Sequence, residues 1–415
     1  MKRFVFLYSA LLVLLTLICV TLSSCNGADG AVETLYVYNW GEYISDGSEG
    51  TLDVNAAFEE YCRETLGKNV KVNYSTFSSN EDMYAKISSG SASYDVIIPS
   101  DYMIQRMVEE DMLMPLDLSK IPNYQYIDDA FKGENVYYED DSENVYSVPY
   151  FYGMVGVIYN SEIVAEDDEQ IGSWELMWDS DYTGDILQFN NSRDAFGTAL
   201  YYLGYDVNEA TEEQWREALE LLKSQKDVVQ GYVMDEIFNK MKSGSAAVAA
   251  YYAGDFLAMH EDNEALELFY PREGTNIYVD AMCVPKNAKN AELAQAYINF
   301  MCREEIGVAN ALYTYYASPL TTVLANEEYQ STMAEVHEDA IDILYGEQSR
   351  AVPTQAYLNL SPDQLTLLNS LWEDLKVESS IGVGIYVCCF TILGALVVLV
   401  VWQIAKKRRW AKLYD

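Results

Sequence analysis

The chain has 415 residues, half of them hydrophobic, with 65 Asp and Glu against 26 Lys and Arg, a formal net charge of −39. That length suits about two or three domains, and 35 tyrosines exclude an acidic, disordered chain. Seven of the basic residues and one acid lie in the first 25 and last 35 positions, so residues 26–380 carry −45, which excludes nucleic acid and anionic headgroups as partners and favours cations.

In chain order, Met1-Lys2-Arg3 is followed by an apolar run from Phe4 to Leu22 and by Leu22-Ser23-Ser24-Cys25. A basic start, an apolar core and small residues before a cleavage point predict a secretory signal over 1–25. The Leu-Ser-Ser-Cys stretch resembles a bacterial lipobox, which implies lipidation of Cys25. After a short polar tether, 34–40 reads as a strand and 51–66 as a helix stopped by Gly67. A second strand, "VKVNYST", precedes a helix with a capping box at Ser78-x-x-Glu81 and a stop at Gly90. "YDVIIP" is a third strand and "DYMIQRMVEED" a third helix. This alternation predicts an α/β fold built on a mostly parallel, doubly wound sheet, with ligands beyond the carboxyl ends of the strands.

From 146 the pattern restarts. After "YSVPYFYGMVGVIYN", the segments "SWELMW", "DILQFNNSRDAFGTALYYLG", "WREALELLKSQ", "SAAVAAYYAGDFLAMH" and "LELFYPREG" read as strands and helices of a second lobe, "YVDAMCVPKNAKNAELAQAYINFMC" as a strand, a turn and a helix, and "SPDQLTLLNSLWEDLKVE" as a last helix. Ile381 to Trp402 is a 22-residue stretch without charge, followed by Lys406, Lys407, Arg408 and Arg409. Its length and flank predict a C-terminal transmembrane helix with a cytoplasmic tail over 403–415. Outside the signal, the lipobox and that stretch, the cysteines are Cys62, Cys283 and Cys302, without metal spacing. The two histidines, His260 and His337, are far apart, which argues against a His-based zinc site or a Ser-His-Asp triad. No cofactor and no catalytic residues are expected.

The motifs "LYVYNWGEY", "YDVIIPSDY", "VPYFYG", "YYAGD", "YPREGTNIYVDAMCVPKNAKN" and "INFM" follow one another over some 340 residues. In that order they resemble the spermidine/putrescine-binding proteins of polyamine ABC transporters. The resemblance implies a two-lobed periplasmic-binding-protein type II fold, each lobe a doubly wound sheet, with a ligand in the cleft. Lobe 1 would comprise 34–145 and 279–325, lobe 2 146–278 and 326–376. The implied function is extracytoplasmic capture of putrescine or spermidine for an ABC permease, from an anchored position on the outer face of the cytoplasmic membrane.

The resemblance also implies the site. Trp40 and Tyr43 match the aromatic pair after the first strand, with Glu42 between them. Ser100 and Tyr102 match a Pro-Ser-x-Tyr segment. Asp194 stands where relatives place Glu, and Asn191 where spermidine-preferring members have Asp. Tyr252 and Tyr278 replace Trp, Asp255 and Asp280 match acids, and Tyr316 matches a cleft-lining Tyr. Gln355 is a weaker counterpart of a glutamine near the end. The chemistry agrees: ammonium groups need carboxylates for charge-assisted hydrogen bonds, and methylenes need π-walls, each cation–π contact adding roughly 0.5–2 kcal/mol. Asn191, Glu42 and Asp255 lean the balance towards putrescine. The rival readings are a receptor of the same fold for ferric iron or a sugar, with the Tyr-Tyr pairs 201–202, 251–252 and 315–316 as iron ligands, and an anchored polyamine sensor.

Overall fold

In the computed structural model, the described residues are 32–132, 144–346, 351–377, Thr391 and Trp402. The signal, Cys25, most of the 381–402 stretch and the basic tail lie outside them. Ten strands follow in order: β1 (Glu33–Trp40), β2 (Val70–Phe77), β3 (Val96–Ile97), β4 (Ser147–Asn160), β5 (Ile186–Phe189), β6 (Val229–Val233), β7 (Val248–Tyr252), β8 (Leu266–Phe269), β9 (Thr275–Cys283) and β10 (Thr354–Gln355). The chain forms two compact units. The first takes its described residues from Met1–Gly153 and Tyr278–Ile341, the second from Met154–Ile277 and Asp342–Asp415.

In the first unit, β2 and β3 flank β1 in parallel, and β3 pairs antiparallel with β9 through Ile97 and Cys283. Leu35 and Val37 share one face and are fully buried with the exposed Tyr36 between them, while Tyr38 on the opposite face is buried too. The helix Val54–Tyr61 is capped by Asp53, which accepts from the Ala56 N–H at 2.9 Å. It stops sooner than expected, passing into a wider turn at Cys62–Leu66 before Gly67 takes φ 64°. The next helix, Asn80–Ser88, is capped by Ser79, not Ser78: the Ser79 side chain accepts from the Asp82 N–H. Ser78 instead donates to the Asp82 carboxylate, so the expected capping box does not form. Tyr38, Phe77, Met83, Ile97, Ile104 and Cys283 belong to one buried cluster that joins strands and helices.

In the second unit the strand order is β8-β4-β7-β5-β6, with β7, β5 and β6 parallel and β4 antiparallel to β7 and β8. The sheets are therefore more mixed than the alternation predicts. β4 and β9 carry the chain across the unit boundaries, so neither sits inside a strand–helix–strand repeat that would make it parallel. The helix Ser192–Tyr202 packs against Glu212–Gln225, with Phe196 on Trp215. Cys62, Cys283 and Cys302 are buried free thiols, and burial pushes the Cys62 thiol up to about 11.

One expectation needs correction. Among the described residues no helix is long and apolar enough to cross a membrane, against the expected C-terminal transmembrane helix. The last described helix of any length, Pro362–Val377, has 16 residues and buries Leu368, Leu371 and Leu375 as one stripe of an amphipathic surface helix. Apart from Thr391 and Trp402, the stretch 381–402 lies outside the described residues.

Candidate functional site

In the first unit the sequence-derived residues converge on Asp280. This carboxylate is 4% exposed and sits in β9. Tyr43 donates its hydroxyl to Oδ2 at 2.7 Å, and Ser100 donates to Oδ1 at 2.6 Å. Ser100 occupies the N-cap position of the helix Asp101–Glu109, yet its side chain makes no cap hydrogen bond. An N-cap serine normally satisfies an orphan N–H of the first turn; here the hydroxyl is turned to Asp280. Backbone bonds hold the two segments together, since Ala281 N–H donates to the Pro99 carbonyl and Val279 N–H to the Asp101 carboxylate.

Behind Ser100 stands Asn80, which sequence reasoning missed. Its amide donates to Ser100 Oγ at 3.0 Å and to Tyr102 Oη at 3.1 Å, and its carbonyl oxygen accepts from the Ser100 N–H. Tyr102 in turn donates its hydroxyl to the Glu81 carboxylate at 2.9 Å. The result is a directed chain, Asn80 to Ser100 to Asp280, closed from the other side by Tyr43. Read as the first residue of an ordinary helix, Asn80 gave no sequence signal of this role.

Tyr43 is walled by aromatic edges: Tyr316 at 4.7 Å, Phe151 at 5.2 Å and Tyr150 at 5.7 Å between centroids. Burial, and then the Asp280 charge, raise the Tyr43 phenol well above its ordinary range, so it remains a donor. Trp40 packs on Phe77 at 4.6 Å, and its buried indole Nε1 has no hydrogen-bond partner among the described residues. Tyr278 is buried, and its hydroxyl lies against Gly153: a Cβ added there would stand 2.5 Å from it. Glu42 differs from its neighbours. It is exposed, takes the left-handed φ of 49°, and stays outside the Asp280 hydrogen-bond network.

In the second unit the structure joins Asp194 to Tyr252. Tyr252 ends β7 and donates its hydroxyl to Asp194 Oδ2 at 2.7 Å. Asn191 caps the helix Ser192–Tyr202: its Oδ1 accepts from the Asp194 N–H at 2.8 Å, and its Nδ2 donates to Asp194 Oδ2 at 2.7 Å. Asn191 is thus occupied in fixing Asp194. Desolvation raises the Asp194 carboxyl above the ordinary carboxylate value, against the lowering pull of Asn191, Tyr252, Arg193 and Tyr357. Asp255 lies buried in the first turn of Ala253–His260, directly after Tyr252. Gln355 donates its amide to Asp206. The tyrosine pairs split: Tyr251 stacks on Phe189 in the core while Tyr252 faces Asp194, and Tyr201 is buried while Tyr202 stacks on Trp178. Among the described residues no group of three or more His, Cys, Asp or Glu could hold a metal ion.

A family model for bacterial extracellular solute-binding proteins matches residues 56–335. The chain belongs to that family. Such proteins bind and hand over solutes and are not enzymes, and their extracellular character agrees with the expected extracytoplasmic placement. Among relatives, this solute-binding protein is 31% identical over 299 residues to the spermidine/putrescine-binding periplasmic protein of Salmonella typhimurium, covering 72% of this chain and 80% of that one. It is 27% identical over 301 residues to the putrescine-binding periplasmic protein PotF of Escherichia coli, covering 69% and 78%. The solved substrate-binding protein PotD of a spermidine/putrescine ABC transporter from Streptococcus pneumoniae superposes with a TM-score of 0.64 at 30% identity, covering 83% of this chain and 99% of that one. The two-lobed α/β fold of this family is the architecture of the present chain.

Proposed function

We propose that this chain is a polyamine receptor that captures putrescine or spermidine outside the cell and delivers it to an ABC-type permease. The observation that carries the reading is Asp280, a buried carboxylate cradled by two neutral hydroxyls, Tyr43 and Ser100. Such a cradle orients both oxygens without neutralising the charge, which suits an incoming ammonium group. The aromatic walls Tyr43, Tyr278, Tyr316 and Trp40 are proposed to cover methylenes and add cation–π attraction. Ser100 and Tyr102 complete the first unit's contribution, with Glu42 as an outer charge. Within the second unit, Asp194, Tyr252 and Asp255 are proposed as the groups that meet a cationic ligand. Because Asn191 is neutral and engaged as a cap, the preference leans to putrescine. Isothermal titration of the full-length protein with putrescine, spermidine, spermine and cadaverine tests the reading; heat only with a sugar or ferric iron would reject it.

The lipid anchor belongs to the same proposal. The Leu-Ser-Ser-Cys stretch supports diacylation of Cys25 and cleavage before it. Palmitate should label the parent and not Cys25→Ala; equal labelling of both would remove the anchor from this residue.

A further inference from the structure

The Asp194 carboxyl has a neighbour that neither the sequence motifs nor the family resemblance singles out. Tyr357, 5% exposed, lies in the segment between β10 and the helix Pro362–Val377. Three features fix it. Its ring carries the Arg193 guanidinium at 4.5 Å. That guanidinium is itself held, donating to Asn208 Oδ1 at 2.9 Å and to the Leu358 carbonyl at 3.4 Å. Its hydroxyl fits against Gly197, one turn beyond Arg193, where any Cβ would fall far inside van der Waals contact with it. Thus the helix that presents Asp194 also supplies the cation above Tyr357 and the gap beside it.

We infer that Tyr357 is a positioning residue of the polyamine site: seated between Arg193 and Gly197, it aims its hydroxyl at Asp194 and holds that carboxylate in one orientation for a cationic ligand. The inference rests on the reading of Asp194 as a ligand group. Tyr357 works through Asp194 and not by touching the solute. The space enclosed by Asp194, Thr198, Tyr201, Asn276 and Tyr357 has no room for a water molecule, so a methylene chain does not fit beside the hydroxyl. Asn191, Tyr252, the charge of Arg193 and Tyr357, which lines the same closed space as Asp194, all favour the ionised carboxyl, against desolvation, which raises it. Tyr201 and Tyr251 also sense the Asp194 charge, each with its phenol raised by burial first.

The test is Tyr357→Phe in the full-length protein, which keeps the ring under Arg193 and removes only the hydroxyl. Putrescine affinity at neutral pH should fall about tenfold, the scale of one lost hydrogen bond to a charged group. The loss of affinity on acidification should also begin at a higher pH, because the carboxyl has lost a donor that favours its charged form. A purely structural tyrosine would move neither readout. Asp194→Asn, titrated in parallel, separates the two failures. If Asp194→Asn loses binding while Tyr357→Phe keeps the parental affinity and pH profile, this inference is overturned and the reading of Asp194 stands. If Asp194→Asn itself binds putrescine like the parent, that reading falls and takes the inference with it.

Discussion

Replacing Asp280 by Asn isolates charge from shape. In the parent, Oδ2 accepts from Tyr43 at 2.7 Å and Oδ1 from Ser100 at 2.6 Å. Asn keeps one acceptor, and its amide faces a hydroxyl that can turn to accept. The cradle therefore loses about one hydrogen bond's net worth, roughly 1 kcal/mol, with no large cavity. The fold should survive. Binding should not, because a desolvated ammonium loses its charged partner, a cost of roughly 3–5 kcal/mol. At about 1.4 kcal/mol per tenfold, that is two to three and a half decades of putrescine affinity. Titration calorimetry of the full-length variant, with thermal unfolding as a folding check, measures both quantities. A variant that melts like the parent and binds within about threefold of it would refute the assignment of Asp280 as the ammonium anchor.

Other outcomes follow from the same geometry. Ser100→Ala should lower affinity about tenfold; since this hydroxyl does not cap its helix, the loss of stability should come from the buried bonds to Asp280 and Asn80, roughly 1–3 kcal/mol, and a folded variant with parental affinity would contradict the assignment. Desolvation raises the Asp194 carboxyl, so in the free protein its ionisation destabilises the fold as pH rises through that raised value, and the penalty vanishes below the unfolded value. A bound cation favours the ionised form, so affinity should fall as pH drops through the same raised value, with up to one proton released per ligand there. Calorimetry in two buffers of different ionisation enthalpy counts that proton, and its presence in Asp194→Asn would assign it elsewhere. Asn191→Asp places a second carboxylate against Asp194, a like-charge pair that an extra cationic group relieves, so the variant should shift towards spermidine. A parent that already prefers spermidine more than tenfold would overturn the putrescine lean.

Much of the fold was legible because its signals are local. The alternation in β1, the Gly67 stop and the apolar face of Asp101–Glu109 each depend on neighbours within one or two turns. The family motifs named Asp280, Tyr43 and Ser100 together. What could not be read was how these groups hold one another, since Tyr43 and Ser100 reach Asp280 across 237 and 180 residues of chain. Those contacts depend on strand register, not local pattern. Asn80 and Tyr357 were missed for the same reason: each sits in an ordinary-looking stretch and acquires its partner only after distant segments pack. The shift of the cap from Ser78 to Ser79 is a smaller case, since two adjacent serines offer the same chemistry and backbone geometry chooses between them. The apolar stretch at 381–402 was read from composition alone, and no described helix has the span it called for.

Gly153 has a consequence for how such a protein can change over time. Its bare α-carbon is the space into which the Tyr278 hydroxyl projects. The two positions are 125 residues apart in sequence, yet Gly153 is not free to gain a side chain while Tyr278 stays. A lineage that enlarges residue 278 must retain glycine at 153, whereas one that reduces 278 to a smaller side chain opens a route to alanine or serine there. The order of substitutions is thereby fixed: 278 shrinks first, 153 grows second, and the reverse path passes through a collision. Selectivity drift in this site should leave its trace as paired changes at these two positions, with 278 leading.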